Sequence, residues 1–323
     1  MQASIIIATK NGRDRIGDAI RSALAQTLSD IEVIVVDDGS LDGTGEMVRE
    51  LQKLDRRVVL LQNADSQGVS AARNKALDHA KGDWIAVLDD DDEYTPERLV
   101  RLISSAEAGG FDMLGDNLEM HEFTTKASLG LAFPHEWMRT NPISLAELIS
   151  RDMPGISEKK FGFIKPIIRR DFLLKHSLRY RPEVFIAEDF LLYAQCVLAG
   201  ARYGVIDEAH YKYAIRHGSS SKGSAVYLQL SNVNRLLTDD VRRSAPEFLP
   251  LLQLRQCKID YTAFAEAAKA RRLAEAFGFG RRIPVSYLLK RLLNAAGKIV
   301  NRGGRCAPSS NPAPPLPRQP LPF

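Results

Sequence analysis

Residues 84 to 94 read WIAVLDDDDEY, a hydrophobic run that ends in four consecutive aspartates, Asp89 to Asp92, and Glu93. Adjacent carboxylates at the end of a buried strand coexist only beside a cation or with raised proton affinity. A hard divalent ion, Mn2+ or Mg2+, held by carboxylate oxygens, water and phosphate oxygens, resolves the repulsion. The same run also reads as a solvated loop leading into a helix, with Thr95 as N-cap, Pro96 in the first helical position and Glu97 in the first turn. An EF-hand is disfavoured because the glycine at the sixth position is missing. A phosphatase with an aspartyl nucleophile would account for this cluster but for none of the others.

Asp37-Asp38-Gly39-Ser40 is either a turn or a pair of acceptors for a ribose hydroxyl or a base N–H, as acids at such strand ends are in other nucleotide folds. Arg73, in GVSAARN, is a helix-borne cation that either faces solvent or points a guanidinium at a phosphate or an acid. Glu188-Asp189 precedes an apolar helix. Both acids complement the helix dipole, or one of them serves as general base toward an acceptor hydroxyl. Arg216 and His217 lie in a polar loop and could reach a diphosphate or a metal once that loop closes; a structural role for the histidine stays open. The phosphate loops GxxxxGK[ST] and GxGxxG are absent, which disfavours an ATPase or a dinucleotide enzyme.

These clusters need a scaffold that brings them together. Ser4–Ala8 and Ile31–Val36 are continuous apolar runs of the kind buried on both faces of a sheet. Val58–Gln62 and Trp84–Leu88 extend the series, and helical spacing fills the intervals at 14–27, up to Leu54, and at 70–79. Strands alternating with helices predict an α/β fold with a mostly parallel central sheet covered on both faces. Ligands bind such sheets at the carboxyl ends of the strands, and Thr9-Lys10-Asn11, Asp37-Asp38 and Asp89 to Asp92 all fall there.

Composition sets the outer bounds. At 323 residues the chain has room for one large domain or two smaller ones, and 45% hydrophobic with 26% charged residues is ordinary for a soluble protein. A net charge of +4 gives no preference for nucleic acid. Cys196, Cys257 and Cys306 are too dispersed for a disulfide framework or a CxxC metal site. No signal peptide is expected from MQASIIIATKNGRDR, and no stretch approaches the ~18 apolar residues of a membrane span.

The segments SIIIATKNG, VIVVDDGSLDGT, GVSAARNKAL, GDWIAVLDDDDEYTPERL and AEDFLL, taken together over roughly residues 3 to 220, resemble glycosyltransferase family 2, the inverting enzymes of the Rossmann-like GT-A fold. The stretch FIKPIIRRDFLLKHSLRYRPEV, running into AEDFLLYAQC, is most similar to bacterial exopolysaccharide transferases of the succinoglycan type. The resemblance implies a nucleotide-sugar site built from Thr9, Asn11, Asp38, Arg73, Asp89 and Asp90. It implies a DxD motif at Asp89-Asp90-Asp91, with Asp91 and Asp89 on Mn2+ or Mg2+; His217, from its loop, is a further candidate ligand, while Asp90 and Asp92 line the site. It further implies Asp189 as base, paired with Glu188. Lys10 stands where an aromatic is common in the family. The late motif also lacks the downstream basic residue of polymerising members, which argues for transfer of a single sugar.

The resemblance implies a UDP-hexose donor and a polyprenyl-diphosphate-linked or other saccharide acceptor. It places the enzyme in the cytoplasm, or peripherally on the inner membrane face. Expected boundaries are a transferase domain at 1–228 (1–100 for the nucleotide, 101–228 for the acceptor), a helical region at 229–306 and a disordered tail at 307–323 with seven prolines. From Lys269 to Arg305 ten Lys or Arg face one acid, Glu275. Residues 285–300 combine apolar and basic positions at helical spacing, as a membrane-surface helix or an ordinary packed helix does. A sugar nucleotidyltransferase and a non-catalytic carbohydrate-binding protein are the alternative functions. The first lacks its GxGTRL signature here, and the retained acids count against the second.

Overall fold

The computed structural model describes residues 1–139, 141–154, 160–216, 224–289 and 291. The chain opens with β1 (Ala3–Thr9), α1 (Ile16–Leu24), β2 (Ile31–Asp37), α2 (Thr44–Leu54), β3 (Val58–Gln62), α3 (Val69–His79) and β4 (Trp84–Val87). Every residue of β2 and β4 is buried, as their unbroken apolar runs require. Parallel pairing in the order β3-β2-β1-β4 sets Thr9 level with Asp37. Leu88 N donates to Ile6 O, so the aspartate run leaves the sheet at the same edge.

The second half holds β5 (Glu93–Tyr94), α4 (Arg98–Gly109), β6 (Met113–Glu122), β7 (Ser128–Leu131), α5 (Leu145–Arg151), β8 (Ile167–Arg169), α6 (Arg170–Lys175), α7 (Glu188–Leu198) and β9 (Tyr203–Ile215). The sheet order runs on as β4-β8-β6-β9-β5. β8 is antiparallel to both of its neighbours, so the mostly parallel sheet becomes mixed here. β6 and β9 pair in parallel over a long stretch with two register shifts near Asn117.

Thr95 is not the N-cap expected from TPERL. The chain first forms β5 against β9, and α4 starts only at Arg98. The Thr95 hydroxyl lies 2.8 Å from His210 Nδ1, so strand pairing outcompetes the local cap.

Three helices close the described chain: α8 (Ser224–Ser244), α9 (Leu249–Lys269) and α10 (Leu273–Gly280). α8 packs on α7, and α9 packs on α5. The helical region is therefore fastened to the sheet domain rather than strung beside it. Of the expected membrane-surface helix at 285–300, residues 285–289 and 291 are described. The rest, the proline-rich tail and His217 lie outside the described residues. Among the described residues no helix is long and apolar enough to cross a membrane.

Candidate active site

Asp89, Asp90 and Asp91, which follow β4, each meet a cation of the same chain. Asp89 accepts from Arg73 Nη2 at 2.7 Å through Oδ1, and its Oδ2 lies 2.9 Å from Lys165 Nζ. Burial alone would raise its proton affinity, yet Lys165 and Arg73 hold its pKa down to about 2. Asp90 accepts from Arg15 Nε at 3.0 Å, Arg15 Nη2 at 2.9 Å and Thr9 Oγ1 at 2.6 Å. Gly12 makes this possible, since a Cβ there would run into both the Thr9 hydroxyl and the Asp90 carboxylate. Asp91 forms an ion pair with Arg216, whose Nε lies 2.8 Å away. Burial and the neighbouring Asp89 and Asp90 push its pKa up to about 6.

Asp92 behaves differently from its three neighbours. It is buried and accepts from Tyr211 OH at 2.6 Å and Ala214 N at 2.7 Å. Burial, then the charges of Asp89 and Asp91, drive its proton affinity well above the usual carboxylate range. It anchors β9 and does not line the site, contrary to the expectation from sequence.

The second acidic cluster arrives from α7. Ala187, with φ of 61°, turns the chain into the helix and places Glu188 and Asp189 in its first turn. Arg73 Nη1 donates to Glu188 Oε1 at 2.7 Å and to Asp189 Oδ1 at 2.9 Å. Asp189 Oδ1 also accepts from Tyr180 OH at 3.0 Å, and its Oδ2 accepts from Lys165 Nζ at 2.5 Å. Burial, followed by the charge of Asp189, raises the proton affinity of Glu188. Arg73 thus joins Asp89 to Glu188 and Asp189, acids far apart in sequence. Asn74 fastens the same junction, exchanging hydrogen bonds with the Tyr180 backbone at 2.8 and 3.0 Å.

Lys165 was not among the residues expected from sequence. It lies between apolar residues in FIKPII, where nothing about the spacing marks it. Its placement comes from Arg98, fully buried on α4, whose Nη2 donates to the Lys165 carbonyl at 2.5 Å and to Asp116 Oδ1 at 2.7 Å. The Arg98 guanidinium also sits over the Tyr94 and Tyr211 rings, 4.2 and 5.1 Å from their centres. Burial would lower the proton affinity of Lys165, but Asp189 and Asp89 raise it well above the ordinary value.

The remaining expected residues divide by what they touch. Thr9 and Asp90 meet beside Arg15, a cation also not foreseen. Asn11, at φ of 49°, accepts from Leu41 N at 2.9 Å and braces the Asp37–Ser40 turn. Asp38 is engaged on both oxygens, by Asn63 Nδ2, Ser66 Oγ, Gln67 N and Gly68 N at 2.7 to 2.9 Å. Those bonds outweigh burial and lower its pKa. Asp38 therefore pins the 63–68 loop.

Asp89 and Asp91 suit a hard divalent ion. Both are oxygen donors at the mouth of the sheet. Among the described residues no group of three or more His, Cys, Asp or Glu is arranged to hold a metal. Mg2+-type ions bridging a diphosphate, however, ordinarily take one or two carboxylates, with phosphate and water completing the shell.

Comparison with known proteins agrees with this architecture. The model for "Glycosyl transferase family 2" matches residues 4–168, about half of the chain. "Succinoglycan biosynthesis protein ExoO" of Rhizobium meliloti (strain 1021) is 34% identical over 327 residues, covering 96% of this chain and 91% of that protein. Escherichia coli WfaP, a "UDP-Glc:alpha-D-GlcNAc-diphosphoundecaprenol beta-1,3-glucosyltransferase", is 39% identical over 104 residues, 32% of this chain and 41% of WfaP. Among solved structures, S. aureus TarS 1–349 in complex with UDP-GlcNAc superposes with a TM-score of 0.66 at 21% identity, over 86% of this chain and 79% of that one. The fold is that of the GT-A transferases. Family model, full-length relative and fold agree, and the chain belongs to glycosyltransferase family 2.

Proposed function

We propose that the chain transfers a single sugar, with inversion, from a UDP-hexose to a lipid-linked saccharide during surface polysaccharide assembly. The observation that carries this reading is the convergence of Asp89, Glu188 and Asp189 on the buried cations Arg73 and Lys165, at the sheet edge where α/β folds bind ligands. The ExoO relationship supports polysaccharide synthesis. WfaP's diphosphoundecaprenol acceptor and the UDP-GlcNAc complex of TarS support the lipid-linked acceptor and the donor class.

The proposed chemistry follows from charge. As the bond between the anomeric carbon and the β-phosphate oxygen breaks, its electron pair stays with the nucleoside diphosphate. Arg73 and Lys165, both buried, would neutralise that charge. An acceptor hydroxyl attacks from the opposite face and gives its proton to the Glu188–Asp189 pair. We assign the base to Asp189. Three donors engage it in the protein, and a diphosphate that draws Lys165 and Arg73 toward itself would free its oxygens for the acceptor proton. Glu188 keeps Arg73 company and holds the remaining charge. A divalent ion on Asp89 and Asp91, with His217 a further candidate ligand, would supply additional neutralisation of the diphosphate. Thr9, Asn11, Asp38 and Asp90 shape the nucleotide end, chiefly by fixing the loops around it.

A thermal-shift panel of nucleotide sugars with and without Mn2+ tests the donor, since a ligand that binds only the folded state stabilises it by mass action. A UDP-hexose is expected to raise the midpoint more than GDP- or dTDP-sugars do. A larger shift with another nucleotide would overturn the donor class.

A further inference from the structure

Helix α10 is apolar on two faces. Its sequence, LAEAFGFG, carries one charged residue, Glu275, and that residue pairs with Arg272 at 3.0 Å. Ala276 and Phe279 are buried, and the helix packs on α9. Leu273 and Phe277, one turn apart, are 76% and 68% exposed. The chain buries Ile283, re-enters a helix at 285, and again presents two large apolar side chains one turn apart, Val285 at 70% and Leu289 at 55%. A helix on the surface of a water-soluble protein ordinarily turns polar residues outward. Here both outward pairs are apolar.

Cations frame them. Arg271 and Arg281 stand exposed at the two ends of α10, and Arg281 sits 5.8 Å from the centre of the Phe277 ring. Lys269 is exposed as well, Arg282 is exposed but lies 4.0 Å from Asp260 Oδ1, and the sequence continues with Lys290 and Arg291. Glu275, already paired, is the single acid from 269 to 291. Apolar side chains in water beside exposed arginines are the two halves of an interfacial membrane contact.

We propose that the outward face of α10, with the helical turn at 285–289, docks on the surface of an anionic lipid bilayer. Leu273 and Phe277 enter the boundary between headgroups and acyl chains, and Arg271 and Arg281 meet the anionic headgroups. A second copy of the chain is a poor occupant, because a two-fold contact would set these arginines against one another. The surface lies ahead of most of the 285–300 segment, on residues the structure describes, and it does not depend on the transferase reading.

Flotation of the full chain with phosphatidylcholine vesicles, with and without phosphatidylglycerol, tests this. The chain is expected to float with the anionic vesicles and to come off as salt is raised. Leu273→Gln with Phe277→Gln is expected to lower the partition coefficient about ten-fold or more, by removing two apolar anchors. Arg271→Gln with Arg281→Gln is expected to lower it comparably and to flatten its salt dependence. All four side chains are outward-facing, so an unchanged thermal midpoint checks the fold of each variant. Failure of the wild type to float, or undiminished flotation of the Leu273/Phe277 variant, overturns the proposal. So does a result in which the variants dissolve a dimer or release a nucleic acid while vesicle binding is unmoved. No donor is present in the assay, so either failure leaves the proposed transfer chemistry standing.

Discussion

Lys165 shows how a decisive residue can be invisible in sequence. Carboxylates at strand ends attract notice because they cost free energy unless something balances them. A lone lysine in an apolar stretch carries no periodicity that says which acids it will meet. Lys165→Met is expected to leave Asp89 and Asp189 with Arg73 as their shared cation, at a cost of about 3 kcal/mol read by thermal or denaturant unfolding. Turnover should fall about 100-fold from the loss of a cation facing the departing diphosphate. Wild-type stability and turnover in that variant would remove Lys165 from the site. The aspartate run gives a pH-linked test. The folded pKa of Asp91, about 6, is raised above its unfolded value. The fold then binds more protons than the unfolded chain between those values, and stability falls as pH rises through them. Asp91→Asn should therefore raise the melting temperature by a few degrees at neutral pH, a gain that vanishes in acid below the unfolded value. A gain that persists in acid would contradict the charge assignment.

At the scale of elements, the parallel half of the sheet was legible because β1, β2 and β4 are covered on both faces and read as unbroken apolar runs. The second half was not. β8 has three residues, β5 has two, and long-range pairing fixes both. Thr95 illustrates the competition: its local sequence favours a helix cap, and β9 draws it into strand pairing instead. α4 then contributes Arg98, whose buried pair with Asp116 also holds the Lys165 carbonyl. Arg98→Met should cost about 3–5 kcal/mol by stranding Asp116. Adding Asp116→Asn should recover much of that stability but little of the activity, because Lys165 loses its backbone tether. Recovery of both would reduce Arg98 to a structural ion pair.

For the whole molecule, the expected boundary near 228 reflects a change of pattern, not a break in packing. Arg255 on α9 is buried, donates to Asp152 Oδ1 at 2.8 Å, and lies 4.4 Å over the ring of Phe190, the residue after Asp189. The C-terminal helices thus buttress the acid pair from behind. No sequence pattern links residues 152, 190 and 255, since the contact exists only once three helices have packed. Arg255→Met should destabilise the entire protein by about 3–5 kcal/mol in one cooperative transition. Two separate transitions would mean that the helical region folds alone.

Turnover of UDP-hexoses with Mn2+ by the wild type and by Asp189→Asn tests the central claim most directly. The account predicts donor consumption by the wild type, a loss of about 100- to 10,000-fold in kcat/KM for the variant, as expected for a missing general base, and unchanged UDP binding. An Asp189→Asn enzyme as active as the wild type would contradict it.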